Sequence, residues 1–206
     1  MTSILKADTI QDTDGNNIIN ENSNTITIGA SGDTITIPSG ATITNSGTAT
    51  GFGQDNTPAF SAYMGSTQTL SDNVDTKVNF DTEDFDTDSA YDTSNKRFTV
   101  PTGEGGKYFF YHRGRFYQSD HNSQYVIAIR VNGAEVAKRY LYSGGTSSKA
   151  YHSATYMSYD LSATEVLSAG DYVEAYVKAD NVAGNNIDYQ NGTIQSEFSG
   201  FKLGGV

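Results

Sequence analysis

The sequence predicts an all-β protein, a sandwich of about ten strands preceded by a short repetitive β-stalk. Three observations carry that class. Tyr108-Phe109-Phe110-Tyr111 is a strand with apolar residues on both alternating faces, so both faces need cover. Tyr125, Ile127, Ile129 and Val131 alternate strictly and run into Asn132-Gly133, the strongest hairpin signal in the chain. TITIGASGD (25–33), TITIPSGA (34–41) and TITNSGTA (42–49) repeat a short strand followed by a glycine turn.

The 206 residues suffice for one sizeable core and a smaller appendage. Only 18% are charged, and the abundance of Tyr, Gly, Thr, Ser and Asn favours strands and turns over helices. With no cysteine, disulfides, thiolate nucleophiles and cysteine metal sites are excluded. The net charge of −11 repels nucleic acid, and its ordinary meaning is solubility. The opening MTSILKADTIQD meets charge at Lys6 and Asp8, so it has no apolar signal-peptide core. No stretch approaches the roughly 18 apolar residues of a membrane helix. The expectation is a chain made in the cytoplasm, neither inserted in a membrane nor bound to nucleic acid.

In chain order, residues 1–24 are polar with apolar pairs at Ile4-Leu5 and Ile18-Ile19, and a turn is expected at Asp14-Gly15-Asn16. Residues 25–47 form the repetitive stalk. Its large apolar residues are Ile26, Ile28, Ile35, Ile37 and Ile43. One such ribbon can neither bury these side chains nor pair its own edges, whereas three copies around a threefold axis can do both. Residues 48–57 lose the isoleucines and read as a hinge.

The larger domain covers 58–206. Expected strands are Pro58–Tyr63, Val78–Phe80, Phe98–Val100, Lys107–Tyr117, Tyr125–Val131, Ala134–Tyr142, Thr155–Leu161, Tyr172–Lys178 and Ile194–Leu203. Pro101 stops one strand, and Thr102-Gly103-Glu104-Gly105-Gly106 reads as a tight reversal into the aromatic strand. Alternation places Tyr108 and Phe110 on one face and Phe109 and Tyr111 on the other, without saying which is inside.

Several separated motifs resemble one family. PAFSAY (58–63), the YD…RFTVP…GKYFF pattern from Tyr91 to Phe110, and the terminal FSGFKL are similar to the C1q/TNF-like trimeric jelly-roll heads. The resemblance spans Pro58 to the C-terminus and implies a ten-stranded jelly roll that forms a tight homotrimer and acts by binding. ILKADTIQDTDGNNIIN and the repeats after it, residues 1–45, resemble the openings of tail-fibre and appendage proteins of marine tailed bacteriophages. Together the two resemblances imply a virion appendage protein. Residues 1–24 would dock on other virion proteins, with Ile4, Leu5, Ile18 and Ile19 as candidates, and the head would meet a host receptor or glycan. The alternative is a purely structural decoration or capping protein without receptor binding.

Catalysis lacks a constellation. His112, His121 and His152 are not at metal-ligand spacing, and neither HExxH nor GxSxG occurs. The run Asp81-Thr82-Glu83-Asp84-Phe85-Asp86-Thr87-Asp88 reads as an acidic loop with ligand types suited to calcium. It lacks the EF-hand order, so the expected cofactor complement is none, with calcium the alternative. Lys138, Arg139, Tyr140, Tyr142, Lys149 and Tyr151 break the acidic background around a Gly-Ser loop, combining cations with rings that stack on sugars. They are the receptor candidates, and their alternative role is filling the trimer interface.

Overall fold

The computed structural model describes residues 9–11, 13, 17–29, 31–44, 46, 56–118, 123–143, 155–181 and 184–203. The chain divides into two compact units, Met1–Thr50 and Gly51–Val206.

The first unit holds β1 (Thr9–Gln11), β2 (Asn17–Asn22) and β3 (Thr25–Ile28), an antiparallel sheet in that order. Ser23 and Asn24 both take positive φ, the conformation a two-residue hairpin needs, and so link β2 to β3. This hairpin crosses the position where the sequence passes from the polar opening to the repeats. Among the described residues only the first repeat is a strand, paired with the edge of β2. Residues 34–37 and 42–44 are described without strand pairing, and all five repeat isoleucines are exposed.

The second unit is an all-β jelly-roll sandwich. Its strands are β4 (Ala59–Tyr63), β5 (Gln68–Leu70), β6 (Thr76–Lys77), β7 (Thr82–Asp86), β8 (Tyr91–Asp92), β9 (Arg97–Thr99), β10 (Gly106–Gln118), β11 (Ser123–Val131), β12 (Ala134–Ser143), β13 (Thr155–Leu167), β14 (Tyr172–Asn181), β15 (Ile187–Tyr189) and β16 (Glu197–Lys202). One sheet runs β7-β4-β16-β10, with β13 along the other edge of β10 and β15 beside its second half, flanked by β5. The other runs β12-β11-β14-β9-β8, with β6 also on β14. The chain passes from sheet to sheet between β5 and β6, β6 and β7, β7 and β8, β9 and β10, β10 and β11, β12 and β13, β13 and β14, and β14 and β15. That alternation is the jelly-roll winding.

Asn132 and Gly133, both at positive φ, make the expected tight turn between β11 and β12. Thr102–Gly106 is the expected turn, with Glu104 N–H on the Pro101 carbonyl and Gly103 at positive φ, and it carries the chain from one sheet to the other. Three local expectations fail. Val78–Phe80 is not a strand. Val78 N–H bonds Ala175, Asn79 N–H bonds the Gln68 side chain, and Val78 and Phe80 fill the core from an irregular segment. The acidic run is an edge strand, β7, antiparallel to β4, and not a loop. Charged residues suit an edge strand because they deter further strand pairing. The expected last strand also starts later, at Glu197, since Gly192–Ser196 forms a turn closed by Ser196 N–H on Gly192.

Aromatic rings dominate the core. Phe60 stacks between Tyr91 and Phe98 at 4.9 and 5.1 Å, and Phe198 meets it edge-on at 5.1 Å. From β10, Tyr108, Phe110, His112 and Phe116 point inward and are fully buried. Phe109 and Tyr111 therefore face outward.

Candidate binding surfaces

The sandwich has two distinct ends. Pro58, where the chain enters the head, accepts from Lys202 N–H, and Leu203 N–H bonds Lys107 at the start of β10. β10 runs from that end to Gln118, which pairs with Thr155. Five residues later β11 begins at Ser123, paired with Ser143 and Asn181. Strand ends 118, 123, 143, 155 and 181 thus gather opposite the entry point. Tyr142 sits among them and is 70% exposed.

The receptor candidates on β12, the edge of its sheet, do not form one patch. Lys138, Tyr140 and Tyr142 share one face by alternation, and Arg139 lies on the other. Arg139 Nη1 donates to the Asp160 carbonyl at 3.1 Å and stands 3.9 Å from its carboxylate. Lys138 Nζ is paired with Glu135 at 2.9 Å and lies 5.1 Å over the Tyr140 ring. Glu135 also binds Arg130, whose guanidinium covers Tyr176 at 4.0 Å and reaches Asp75 at 3.0 Å. The hydrogen bond from Lys138 holds the Glu135 carboxyl below its usual range, with that from Arg130 adding to it. Local neutralisation leaves Tyr140 and Tyr142 as the accessible features of this face. Lys149 and Tyr151 lie outside the described residues, as do Ile4, Leu5, His121 and His152.

A second surface is the outward face of the other sheet. Strand register places Phe85, Ser61, Ser199, Tyr111 and Ser162 in one cross-strand row, and Ala59, Phe201, Phe109 and Thr164 in the next. The Phe109 and Phe201 rings are 5.5 Å apart. Phe85 is 50% exposed, and Val166, opposite Lys107, 75%. Further along, Arg115 covers Tyr156 at 4.2 Å and Tyr117 lies 5.2 Å from it. The sequence reading missed Phe85, Val166, Tyr156 and Phe201 as parts of a surface. The visible signal was the alternation of β10, but pairing partners come from distant segments.

Three carboxylates of the acidic region, Asp81, Asp86 and Asp92, serve the backbone. Asp86 accepts from the N–H groups of Ala90 and Tyr91 at 3.1 and 2.8 Å, and Asp81 from Gly65 at 2.8 Å. Asp92 accepts from Ser94 and Asn95, and the Asn95 bonds hold its carboxyl below the usual range. Among the described residues no three His, Cys, Asp or Glu are grouped to hold a metal.

His112 lies wholly inside, its Nε2 hydrogen-bonded to Tyr189 Oη at 3.0 Å with Phe80 edge-on at 5.6 Å. Burial holds its pKa down to about 4, opposed by the Ala128 backbone, so the ring is neutral at pH 7. Its folded pKa lies below the ordinary 6.5, so between those values only the unfolded chain takes up the proton. Stability is therefore lost as pH falls from about 6.5 to about 4, by about 3 kcal/mol in full. Denaturation at fixed protein concentration from pH 7 to 4 should show this slope. His112→Gln, less stable at neutral pH, should lack it, and equal slopes would rule it out.

No protein-family model matches the chain, and no curated protein matches it. Solved structures similar to it include the globular domain of zebrafish complement 1qA, 16% identical, with a TM-score of 0.44 over 71% of this chain and 97% of that one. Another is the Eiger TNF of S. frugiperda, 15% identical, with a TM-score of 0.45 over 70% of this chain and 90% of that one.

Proposed function

We propose that the chain is the subunit of a homotrimeric, non-enzymatic tail fibre or appendage of a tailed phage, whose head recognises a host surface. The observation that carries self-association is the outward aromatic face of the β7-β4-β16-β10-β13 sheet. Phe109, Phe201, Tyr111, Phe85 and Val166 form an apolar surface of the kind soluble monomers rarely leave open. Copies of the same chain would cover it in each subunit at once. Virion attachment through residues 1–24 rests on the N-terminal resemblance. Glycan recognition rests on Tyr140 and Tyr142, which lie toward the end opposite the chain's entry and suit sugar stacking.

Two measurements test the proposal. Phe201→Glu should leave a folded head that sediments as a monomer at micromolar concentration; a trimer that persists would refute this interface. Tyr140→Ala with Tyr142→Ala should reduce adsorption to host cells by about tenfold or more while the trimer survives. Lys138→Ala should matter less, because Glu135 already neutralises that charge. Normal adsorption by intact tyrosine variants would favour the structural capping role. The separation of Arg139 from Lys138, Tyr140 and Tyr142 is the observation on that side.

A further inference from the structure

The outward face of the β12-β11-β14 sheet holds a shallow trough. Val126 and Ala128 of β11 point away from the core, because Tyr125, Ile127 and Ile129 fill it, yet they are only 4% and 2% exposed. Longer side chains on the flanking strands shade them. Val126 lies between Tyr140 and Lys178, and Ala128 between Lys138 and Tyr176. Toward the end opposite the chain's entry the next row is Tyr142, Gln124 and Asp180.

Charge on this face cancels pair by pair. Lys77 is bound to Glu174, Lys138 to Glu135, and Arg130 to both Glu135 and Asp75. Lys178 and Asp180 remain, a cation and an anion two residues apart on one face of β14. Both are half-buried, as is Gln124, and none of the three makes an ion pair or a side-chain hydrogen bond among the described residues. Lysine only donates, ionised aspartate only accepts, and the glutamine amide does both. Sugar hydroxyls donate and accept as well, so these three ends suit a run of hydroxyls, with the exposed Tyr140 and Tyr142 rings beside them.

We infer that this end of the trough takes a neutral hexose and not an acidic sugar, with Asp180, Gln124 and Lys178 holding its hydroxyls. An acidic sugar would bring its carboxylate beside Asp180 in a chain of net charge −11, where Lys178 already offsets Asp180 and no cation is left over. The inference rests on the glycan-binding reading of Tyr140 and Tyr142 and names its ligand class, since the rings by themselves suit either kind of sugar.

The full chain is titrated with glucose, galactose and mannose oligosaccharides as neutral probes and with oligogalacturonate as the acidic one. A neutral probe should bind with an affinity constant to within about twofold from about 0.05 to 0.5 M salt, because there is no net charge to screen. Asp180→Asn keeps the shape but replaces an acceptor with a donor, and it should weaken that binding about tenfold. Gln124→Ala should do likewise, with sedimentation and melting of both variants matching the parent. A neutral probe bound equally well by both variants would overturn the inference. For an acidic ligand the sign reverses, because Asp180→Asn removes a repulsion. Oligogalacturonate bound in preference, more weakly in salt and more tightly by Asp180→Asn, would overturn the inference and leave glycan recognition standing. Loss of host adsorption in the Tyr140→Ala, Tyr142→Ala variant with no neutral probe bound by the parent would overturn this inference alone. Normal adsorption by that variant with no probe bound would overturn both readings.

Discussion

Gly114→Ala is expected to abolish folding of the head. Gly114 lies on the inward face of β10 between His112 and Phe116, and the Tyr189 ring occupies the space a side chain would take. A Cβ there would stand 1.3 Å from Tyr189 Oη and 1.9 Å from its Cζ, distances no small adjustment relieves. Tyr189 cannot swing away. It is fully buried, packs against Phe116 at 4.8 Å and is hydrogen-bonded to His112. Displacing it would break that bond inside the core and leave two buried polar groups without partners, each a loss of about 1–3 kcal/mol. The expected result is insoluble protein or loss of the cooperative transition. Tyr189→Leu alone should cost several kcal/mol, as truncating a buried aromatic does. Combined with Gly114→Ala it should be more stable than Gly114→Ala alone, because the obstructing ring is gone. A Gly114→Ala protein that melts like the parent would show that β10 and β15 do not approach this closely.

Phe198→Ala should destabilise the head by about 3–5 kcal/mol, the usual cost of a buried phenylalanine truncation. Its ring on β16 lies 5.1 Å from Phe60, 5.8 Å from Phe80 and 6.3 Å from both Phe110 and Tyr91. Those rings come from β4, the irregular segment after β6, β10 and β8, so one truncation loosens both sheets at once. The surrounding rings are themselves interlocked and cannot collapse into the cavity, which places the cost toward the upper end. Phe201→Ala, three residues along the same strand on the outward face, should cost a monomeric head much less. Chemical denaturation of both variants at equal concentration checks the contrast. Equal losses would contradict the division of β16 into an inward and an outward face.

Much of the fold was legible because it is written in short-range pattern. Strict alternation from Tyr125 to Val131 and the Asn132-Gly133 turn marked β11 and β12, since a two-residue period and a positive-φ turn are properties of adjacent residues. The aromatic run at Tyr108–Tyr111 likewise marked β10, one face of which lies in the core. The same local signals placed the turn at Thr102–Gly106 without showing that it crosses between sheets, because a glycine-rich turn looks alike whether it joins neighbours in one sheet or crosses between two. They misread Asp81–Asp88 because polarity marks exposure, and an edge strand is as exposed as a loop until β4 supplies its hydrogen bonds.

The surfaces were less legible. Arg139 and Tyr140 are neighbours in the chain but lie on opposite faces of a strand, and Glu135 neutralises Lys138 through a contact that charge counting passes over. Ile19 and Ile28 are nine positions apart yet face each other because Ser23 and Asn24 reverse the chain between them. By itself, then, the sequence determined the all-β class, the order of the long strands and which residues alternate. Only the tertiary structure decided that Tyr108 and Phe110 face the core while Phe109 and Tyr111 face out. It also decided that His112 meets Tyr189 and that Phe85 joins the outward aromatic face. Alternation is a local property of the backbone, whereas the partner of each face comes from strands folded in from tens of residues away.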